Sequence, residues 1–473
     1  MKQLNDSTRL LLQDSLGIKN IKQNTMQKFD VFVIGTGVAG TGIANKCAQA
    51  GKKVGIVDNK EYGGTCGLHG CIPKKILVGV TDAFQKSINL SGKGIDKAPS
   101  INWKELIDFK NTFTDPIPEN KESNFKENGV TTFHGEPVFI AENQLKIGEE
   151  TIEAKKIVIA TGATPRELEI PGADLVLSSD DFLKMKELPK SILFIGGGYI
   201  AFEFAHIAAR SGAKVTIMDM EDTSLPHFDN DIVKHLVEAT KDLDIELVMS
   251  TKVSEIKKDG DIFIVVGDKD GNKKEFQSDA VFNTSGRVPA INGLDLEKGN
   301  VFFSKKGIEV NKFMQSISNP HVYAAGDNTA TKGLPLTPFA SMEAHVVTRN
   351  ILKGNKKKPD YGVRPTAVYT LPTLAMVGMT EAEALKKKLN IKVNYKSVPE
   401  WYVAKHLGEK TYAFKVIIDK ESNLILGAHI IGPNAEETIN VFAVAMQAGM
   451  KAKDLKGIPF AFPSASYDVA KMV

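Results

Sequence analysis

The feature that most constrains this chain is a glycine pattern written twice in the same register. Asp30–Val31–Phe32–Val33–Ile34 is a short apolar, β-branched run ending at Gly35, as a buried parallel strand does. Gly35, Gly37 and Gly40 follow as G-x-G-x-x-G, then Ala44, Gly51 and a second strand that closes on Asp58. The pattern returns after Ser191–Ile195 as Gly196, Gly198 and Ala201, with Ala205, Gly212 and a second strand closing on Asp219. First glycine and acid stand 23 residues apart in both copies. Each position has a mechanical reason. The first glycine permits a tight strand-to-helix turn, the second lets a pyrophosphate approach the backbone, and the third small residue lets the helix pack on the strand. The acid can accept hydrogen bonds from a ribose. One copy would be weak, since glycine turns are common. Two complete copies imply two dinucleotide sites, a flavin beside a nicotinamide.

Other segments agree. Ile157–Ala160, leading into Thr161 and Gly162, reads as a buried strand running into a crossover loop. His321–Ala325, followed by Gly326 and Asp327, reads as a strand ending in a carboxylate that can reach a ribityl chain. The 473 residues are about three times the usual domain length of roughly 150, so two to four domains are expected. A hydrophobic share of 42% and a charged share of 25% exclude disordered, collagen-like and coiled-coil chains. With 60 basic and 57 acidic residues and no basic block, no nucleic-acid partner is expected. No apolar run approaches the ~20 residues of a membrane-spanning helix, so no membrane is expected either. Residues 1–28 read as a polar leader, a short helix lying on the surface. Three cysteines exclude a disulfide-stapled secreted fold, and the cytoplasm is the expected compartment.

Cys47 falls in the helix of the first fingerprint and reads as a packed core thiol. Cys66 and Cys71 lie in Gly64–Thr65–Cys66–Gly67–Leu68–His69–Gly70–Cys71–Ile72–Pro73–Lys74–Lys75. Their five-residue step brings the sulfurs together if they lie around the first turn of a helix, where positive charge and orphan amides favour a thiolate. Three readings stand: a redox pair, half of a zinc site, or two structural thiols. The zinc reading lacks its second pair of ligands, and no metal is expected.

On these residues the chain resembles the FAD-dependent pyridine nucleotide–disulfide oxidoreductases, over about residues 29–473. G-G-T-C-x-x-x-G-C-I-P-x-K carries the likeness, with Ala160–Thr161–Gly162, Ala325–Gly326–Asp327, Leu336–Thr337–Pro338 and, in the tail, Val377–Gly378–Met379–Thr380–Glu381. The resemblance implies an α/β fold of two Rossmann-like dinucleotide-binding domains and a C-terminal α+β dimerisation domain. The flavin domain would span 29–165 and 285–350, the nicotinamide domain 166–284, and the interface domain 351–473. FAD would lie against Gly35, Gly37, Gly40, Asp58, Gly64, Thr65, Thr161, Gly162, Gly326, Asp327 and Thr337. The nicotinamide would lie against Gly196, Gly198, Tyr199, Asp219 and Gly286, with Tyr199 covering its pocket. Hydride would pass through the flavin to a Cys66–Cys71 disulfide. Cys71 would be the charge-transfer thiol and Cys66 the exposed one that meets substrate. Lys75 and Glu203 would form an ion pair beside the flavin; as sequence, each also reads as an ordinary surface charge.

The resemblance breaks near the end of the chain. Members that reduce disulfides place a His–Pro pair there, with a nearby glutamate, and lend it to the partner's cysteines in a homodimer. Here the stretch is Phe462–Pro463–Ser464–Ala465–Ser466–Tyr467–Asp468. Phenylalanine moves no proton, a role worth roughly 10²–10⁴-fold. His69, between the two cysteines, is a substitute carrier or the filler of a turn; Tyr402, His406 and Tyr467 are weaker candidates. Three functions therefore compete: a disulfide reductase, an NADH-dependent reductase of metal ions or quinones, and a nucleotide-binding subunit with little turnover. Asp219, followed by Met220, Glu221 and Asp222 with no arginine nearby, predicts NADH over NADPH, because a carboxylate repels a 2′-phosphate.

Overall fold

Gln27–Ile34 owes its place at the centre of the first sheet to side chains that are apolar on both faces. In the computed structural model, which describes residues 26–97 and 99–473, this strand already begins two residues inside the span read as a leader. The rest of that leader lies outside the described residues. Val54–Asp58 and Glu150–Ile159 flank the strand in parallel, with Val31 opposite Val54 and opposite Lys156. Val322–Ala324 returns from far along the chain to pair with Ile157–Ile159. Seven strands result, with the fingerprint loop and the Gly326–Asp327 turn at the same edge.

The second fingerprint builds a four-stranded parallel sheet in the order Glu246–Val248, Lys214–Met218, Ser191–Ile195, Ala280–Asn283. Beside it, Lys252–Asp259, Ile262–Lys269 and Asn272–Ser278 form an antiparallel sheet whose second hairpin turns at Asp270–Gly271. The C-terminal part is a five-stranded antiparallel sheet from Thr366–Val368 to Ile425–Gly432, with the helix Ala435–Gln447 packed on it. These parts are the mixed α/β architecture expected.

Two contacts fasten the second fingerprint to the C-terminal sheet. The helix Tyr199–Arg210 is buried nearly all round, so its polar residues must be paired internally. Glu203 Oε1 accepts from Tyr369 N at 2.7 Å, His206 Nδ1 from Leu371 N at 3.3 Å, and Arg210 Nη2 donates to Leu371 O at 2.7 Å. Positions 203, 206 and 210 share one helix face. Burial, with Arg210 beside it, holds His206 well below the usual imidazole range, so it serves as a neutral acceptor. Elsewhere Lys415, on Ala413–Asp419, reaches Asp229 at 2.9 Å, Asp231 at 2.6 Å and Glu381 at 2.7 Å.

Candidate functional site

The two fingerprint loops are built alike. In the first, Asp58 Oδ2 accepts from Thr36 N at 2.8 Å and Thr36 Oγ1 at 2.7 Å, so the strand-end acid ties down the glycine turn. In the second, Asp219 Oδ2 accepts from Gly197 N, and its Oδ1 from Glu221 N at 2.9 Å. The glycines are required by contact. A Cβ on Gly40 would fall 1.8 Å from Gly35 O, and one on Gly196 would fall 2.5 Å from Ser285 Cα. Gly64, at φ +67°, lies against Gly37 so closely that its Cβ would meet Gly37 Cα at 2.4 Å.

A cavity of about 2040 Å³ opens at this edge. All the residues expected to bind or react line it except Gly40, Gly196, Gly198, Asp219 and Gly286. Its volume exceeds the usual ~300–1,000 Å³ of a single-ligand pocket. Thr161 Oγ1 is buried at its wall without a hydrogen-bond partner. That orphaned hydroxyl and the bare backbone cradle of Gly35, Gly37 and Gly64 fit a bound flavin dinucleotide.

Cys66 sits inside a π-turn, Thr65–His69, and Cys71 opens the helix Cys71–Asn89. The wider π-turn, with its i to i+5 register, puts the two thiols in hydrogen-bonding contact. Cys66 donates to Cys71 and thereby lowers the Cys71 thiol to about 6; burial opposes this, while Thr337 and Lys74 assist. The same hydrogen bond, with burial, pushes Cys66 far up. The pair thus divides into a thiolate and a thiol. Cys66 is half-buried and Cys71 exposed, and both line the cavity. Cys47 is fully buried, and burial pushes its thiol to about 11.

The expected Lys75–Glu203 pair is corrected. Lys74, not Lys75, meets Glu203 Oε1, at 2.8 Å and deep in the protein. Lys75 turns to Glu436, at 3.1 Å and half exposed. The reason is helical periodicity: Lys74 shares the buried stripe of Leu77, Val78 and Thr81, whereas Lys75 stands one step off it. That stripe, read along the helix, was the signal that could have chosen between them. Tyr199 is exposed by 42%, and burial of its hydroxyl end beside Glu203 pushes the phenol up to about 12. Asp327 is pushed up by burial, with Arg287 opposing.

His69 Nδ1 is buried without a hydrogen-bond partner, 4.0 Å from Asp180 Oδ2. Burial lowers its basicity, Asp180 and Glu61 oppose that, and Lys184 and Lys60 add to it. Both His69 and Asp180 line the cavity that holds Cys66. At the other end of the chain Phe462 is 67% exposed, 4.9 Å from the Tyr467 ring and 6.1 Å from that of Tyr402. Asp468 is turned inward, accepting from Lys471 at 2.9 Å and Tyr412 at 3.4 Å, and is no partner for Phe462. Tyr402 stacks on His406, while Trp401 packs on Tyr412 and Phe414. Sequence reasoning missed Lys74, Asp180, Arg287 and Glu343. Glu343 is buried and accepts from Gly326 N at 2.7 Å and Tyr361 OH at 2.6 Å. Among the described residues no cluster could hold a metal ion, and no helix is long and apolar enough to cross a membrane.

Residues 29–344 match the family described as pyridine nucleotide-disulphide oxidoreductase, and residues 364–473 match the dimerisation domain of that name. A dihydrolipoyl dehydrogenase of Staphylococcus aureus is 32% identical over 436 residues, 90% of this chain and 92% of that one. A mercuric reductase of Lysinibacillus sphaericus is 29% identical over 452 residues, 94% of this chain and 82% of that one. Among solved structures, a Cu(II) complex of the HOCl-induced flavoprotein disulfide reductase RclA of Escherichia coli superimposes with a TM-score of 0.85 at 28% identity, covering 94% of this chain and 99% of that one.

Proposed function

Because the chain belongs to the pyridine nucleotide–disulphide oxidoreductases, flavoproteins that bind FAD and NAD(P), we propose that it is an NADH-dependent enzyme whose Cys66–Cys71 pair reduces a disulfide substrate. The observation that carries this reading is Cys71, a thiol lowered to about 6 at the head of a helix, in one cavity with the flavin-type cradle. Bound in that cradle, FAD supplies two-electron transfer between nicotinamide and dithiol. The chain's own residues do the rest. Thr161, Asp327 and the Gly35–Gly40 loop hold the flavin, and Lys74, paired to Glu203, places a fixed positive charge beside the reacting centre. Asp219 accepts from the adenine ribose of NADH and repels a 2′-phosphate.

In the reduced pair, Cys66 gives up its proton and its sulfur attacks one sulfur of the substrate. A Cys66–substrate disulfide forms, the substrate's own S–S bond breaks, and the departing thiolate takes a proton. The Cys71 thiolate then attacks Cys66, restoring the disulfide and releasing the second half, which is protonated in turn. His69, with Asp180 Oδ2 4.0 Å from its Nδ1, is the proton carrier nearest in sequence to these sulfurs. We take 29–165 with 285–350 as the flavin domain, 166–284 as the nicotinamide domain, 351–473 as the interface domain of a homodimer, and the cytoplasm as its compartment. The test is anaerobic reduction of the intact protein. Uptake of four electrons per subunit is expected, and uptake of only two would sink the reading.

A second reading has its own support. Phe462 stands where a proton donor is expected, one relative is named a mercuric reductase, and one solved relative is a Cu(II) complex. Reduction of a metal ion at the dithiol delivers electrons with no proton to the acceptor, whereas a quinone takes up two as a disulfide does. A protein that consumes NADH with Cu(II) or a quinone, and ignores every disulfide offered, would establish it.

A further inference from the structure

The buried Lys74–Glu203 pair poses a question of choice, because two lysines stand side by side and only one reaches the carboxylate. Tyr369, just after the strand Thr366–Val368, touches every member of the choice. Its N–H donates to Glu203 Oε1 at 2.7 Å, the same oxygen that Lys74 reaches at 2.8 Å. Lys74 Nζ lies over its ring, 4.0 Å from the centroid, and Lys75 Nζ lies over the same ring at 4.1 Å. Lys75 then continues to Glu436, in the first turn of Ala435–Gln447. An aromatic face attracts cations, so one ring can hold two ammonium groups that would otherwise repel each other. Burial, with Glu436 and Glu203 close by, raises the Tyr369 phenol and keeps that ring neutral.

A desolvated ion pair is maintained only when further hydrogen bonds satisfy its members. Glu203 gets its further bond from the Tyr369 backbone, and Lys74 gets its second contact from the ring. We propose that Tyr369 is the positioning residue of this site: once the helix has turned Lys74 toward Glu203 and Lys75 toward Glu436, its ring holds both ammonium groups there and so steadies the charge that faces the flavin. The proposal rests on the reading above that the Lys74–Glu203 pair works beside the flavin.

The experiment uses the flavin-loaded protein and three variants: Tyr369→Leu, Tyr369→Phe and Lys74→Met. Two quantities are read under anaerobic conditions: the rate at which NADH bleaches the bound flavin, and the long-wavelength band of the reduced dithiol form. Loss of the ring contact, worth about 0.5–2 kcal/mol, should slow bleaching roughly two- to thirtyfold in Tyr369→Leu and shift the band, at unchanged flavin content. Tyr369→Phe keeps the ring and should behave as the unmodified protein. A Leu variant that bleaches at the normal rate with an unshifted band, or a Phe variant as slow as the Leu variant, overturns the assignment. Lys74→Met separates the two ideas. If it too leaves bleaching and band unchanged, the functional reading of the pair falls. If it alters them and Tyr369→Leu does not, only the role of Tyr369 falls.

Discussion

The two fingerprint loops share a plan but differ in what surrounds them. Around the first, Gly64 presses on Gly37, a Cβ on Gly35 would fall 2.3 Å from Ala160 O, and Thr161 points an unpaired hydroxyl inward. Around the second, Gly196 is equally confined, and a Cβ on Gly198 would meet nothing nearer than Thr284 O at 4.0 Å, much as one on Gly37 would meet nothing nearer than Gly64 Cα at 3.9 Å. Both loops press on a crossover at their first glycine; what sets the first apart is the redox loop, whose Gly64 is packed against Gly37. One suits a group that stays, the other a molecule that arrives and leaves. The helices reverse the contrast, since Tyr199–Arg210 is the more deeply buried of the two. The visiting molecule is met by the stiffer support.

The largest test of this contrast removes the charge between the sites. Lys74→Met strands Glu203 in the interior and should cost about 3–5 kcal/mol of stability in denaturant unfolding, whereas Lys75→Met, breaking a half-exposed pair, should cost no more than about 1 kcal/mol. Equal losses would mean that the two lysines are interchangeable. Next in size is Gly64→Ala, which forces a methyl group into Gly37 at a positive φ. Overpacking of about 1–3 kcal/mol should weaken flavin retention by about tenfold or more, measured as the ratio of flavin to protein absorbance. Gly198→Ala should leave that ratio unchanged, and a colourless Gly198→Ala protein would break the comparison.

The third test is pH. With Cys71 lowered to about 6, the reduced enzyme's charge-transfer band should be half developed near that pH and weaken about tenfold per unit below it. The folded value lies below that of a free thiol, about 8.5, so the thiolate's contribution to stability is complete above 8.5 and fades as pH falls through 6. A band that titrates near 8.5 would mean that neither Cys66 nor the helix end lowers Cys71. The smallest effect belongs to the second loop. Asp219→Asn keeps an oxygen for the Gly197 amide but removes the charge, and should narrow the preference for NADH over NADPH in kcat/KM by about fivefold, or ~1 kcal/mol. Equal use of the two by the unmodified protein would refute the preference outright.

Much of this was legible in the sequence because backbone constraints are local. Gly35 and Gly196 turn at φ +103° and +102°, and Gly40 packs on Gly35 five residues before it, while Cys66 and Cys71 belong to one such short stretch. What was not legible depends on contacts between distant segments. Glu203 could not choose between Lys74 and Lys75 until the stripe of Leu77, Val78 and Thr81 set the rotation of their helix. Asp180 became a neighbour of His69, and Tyr369 of Glu203, only through packing of residues more than a hundred positions apart.

The three bonds from Glu203, His206 and Arg210 to the backbone of Tyr369 and Leu371 bear on how the molecule can move. A hinge that swung the second fingerprint's sheet away from the C-terminal sheet would have to break all three together, and the Lys415 contacts with them. On the proposed reading an arriving nicotinamide would find those contacts intact, with the exposed Tyr199 ring in the cavity it enters. A crystal of this protein should therefore tolerate soaking with NADH without cracking, its lattice undisturbed by the arrival of the cofactor.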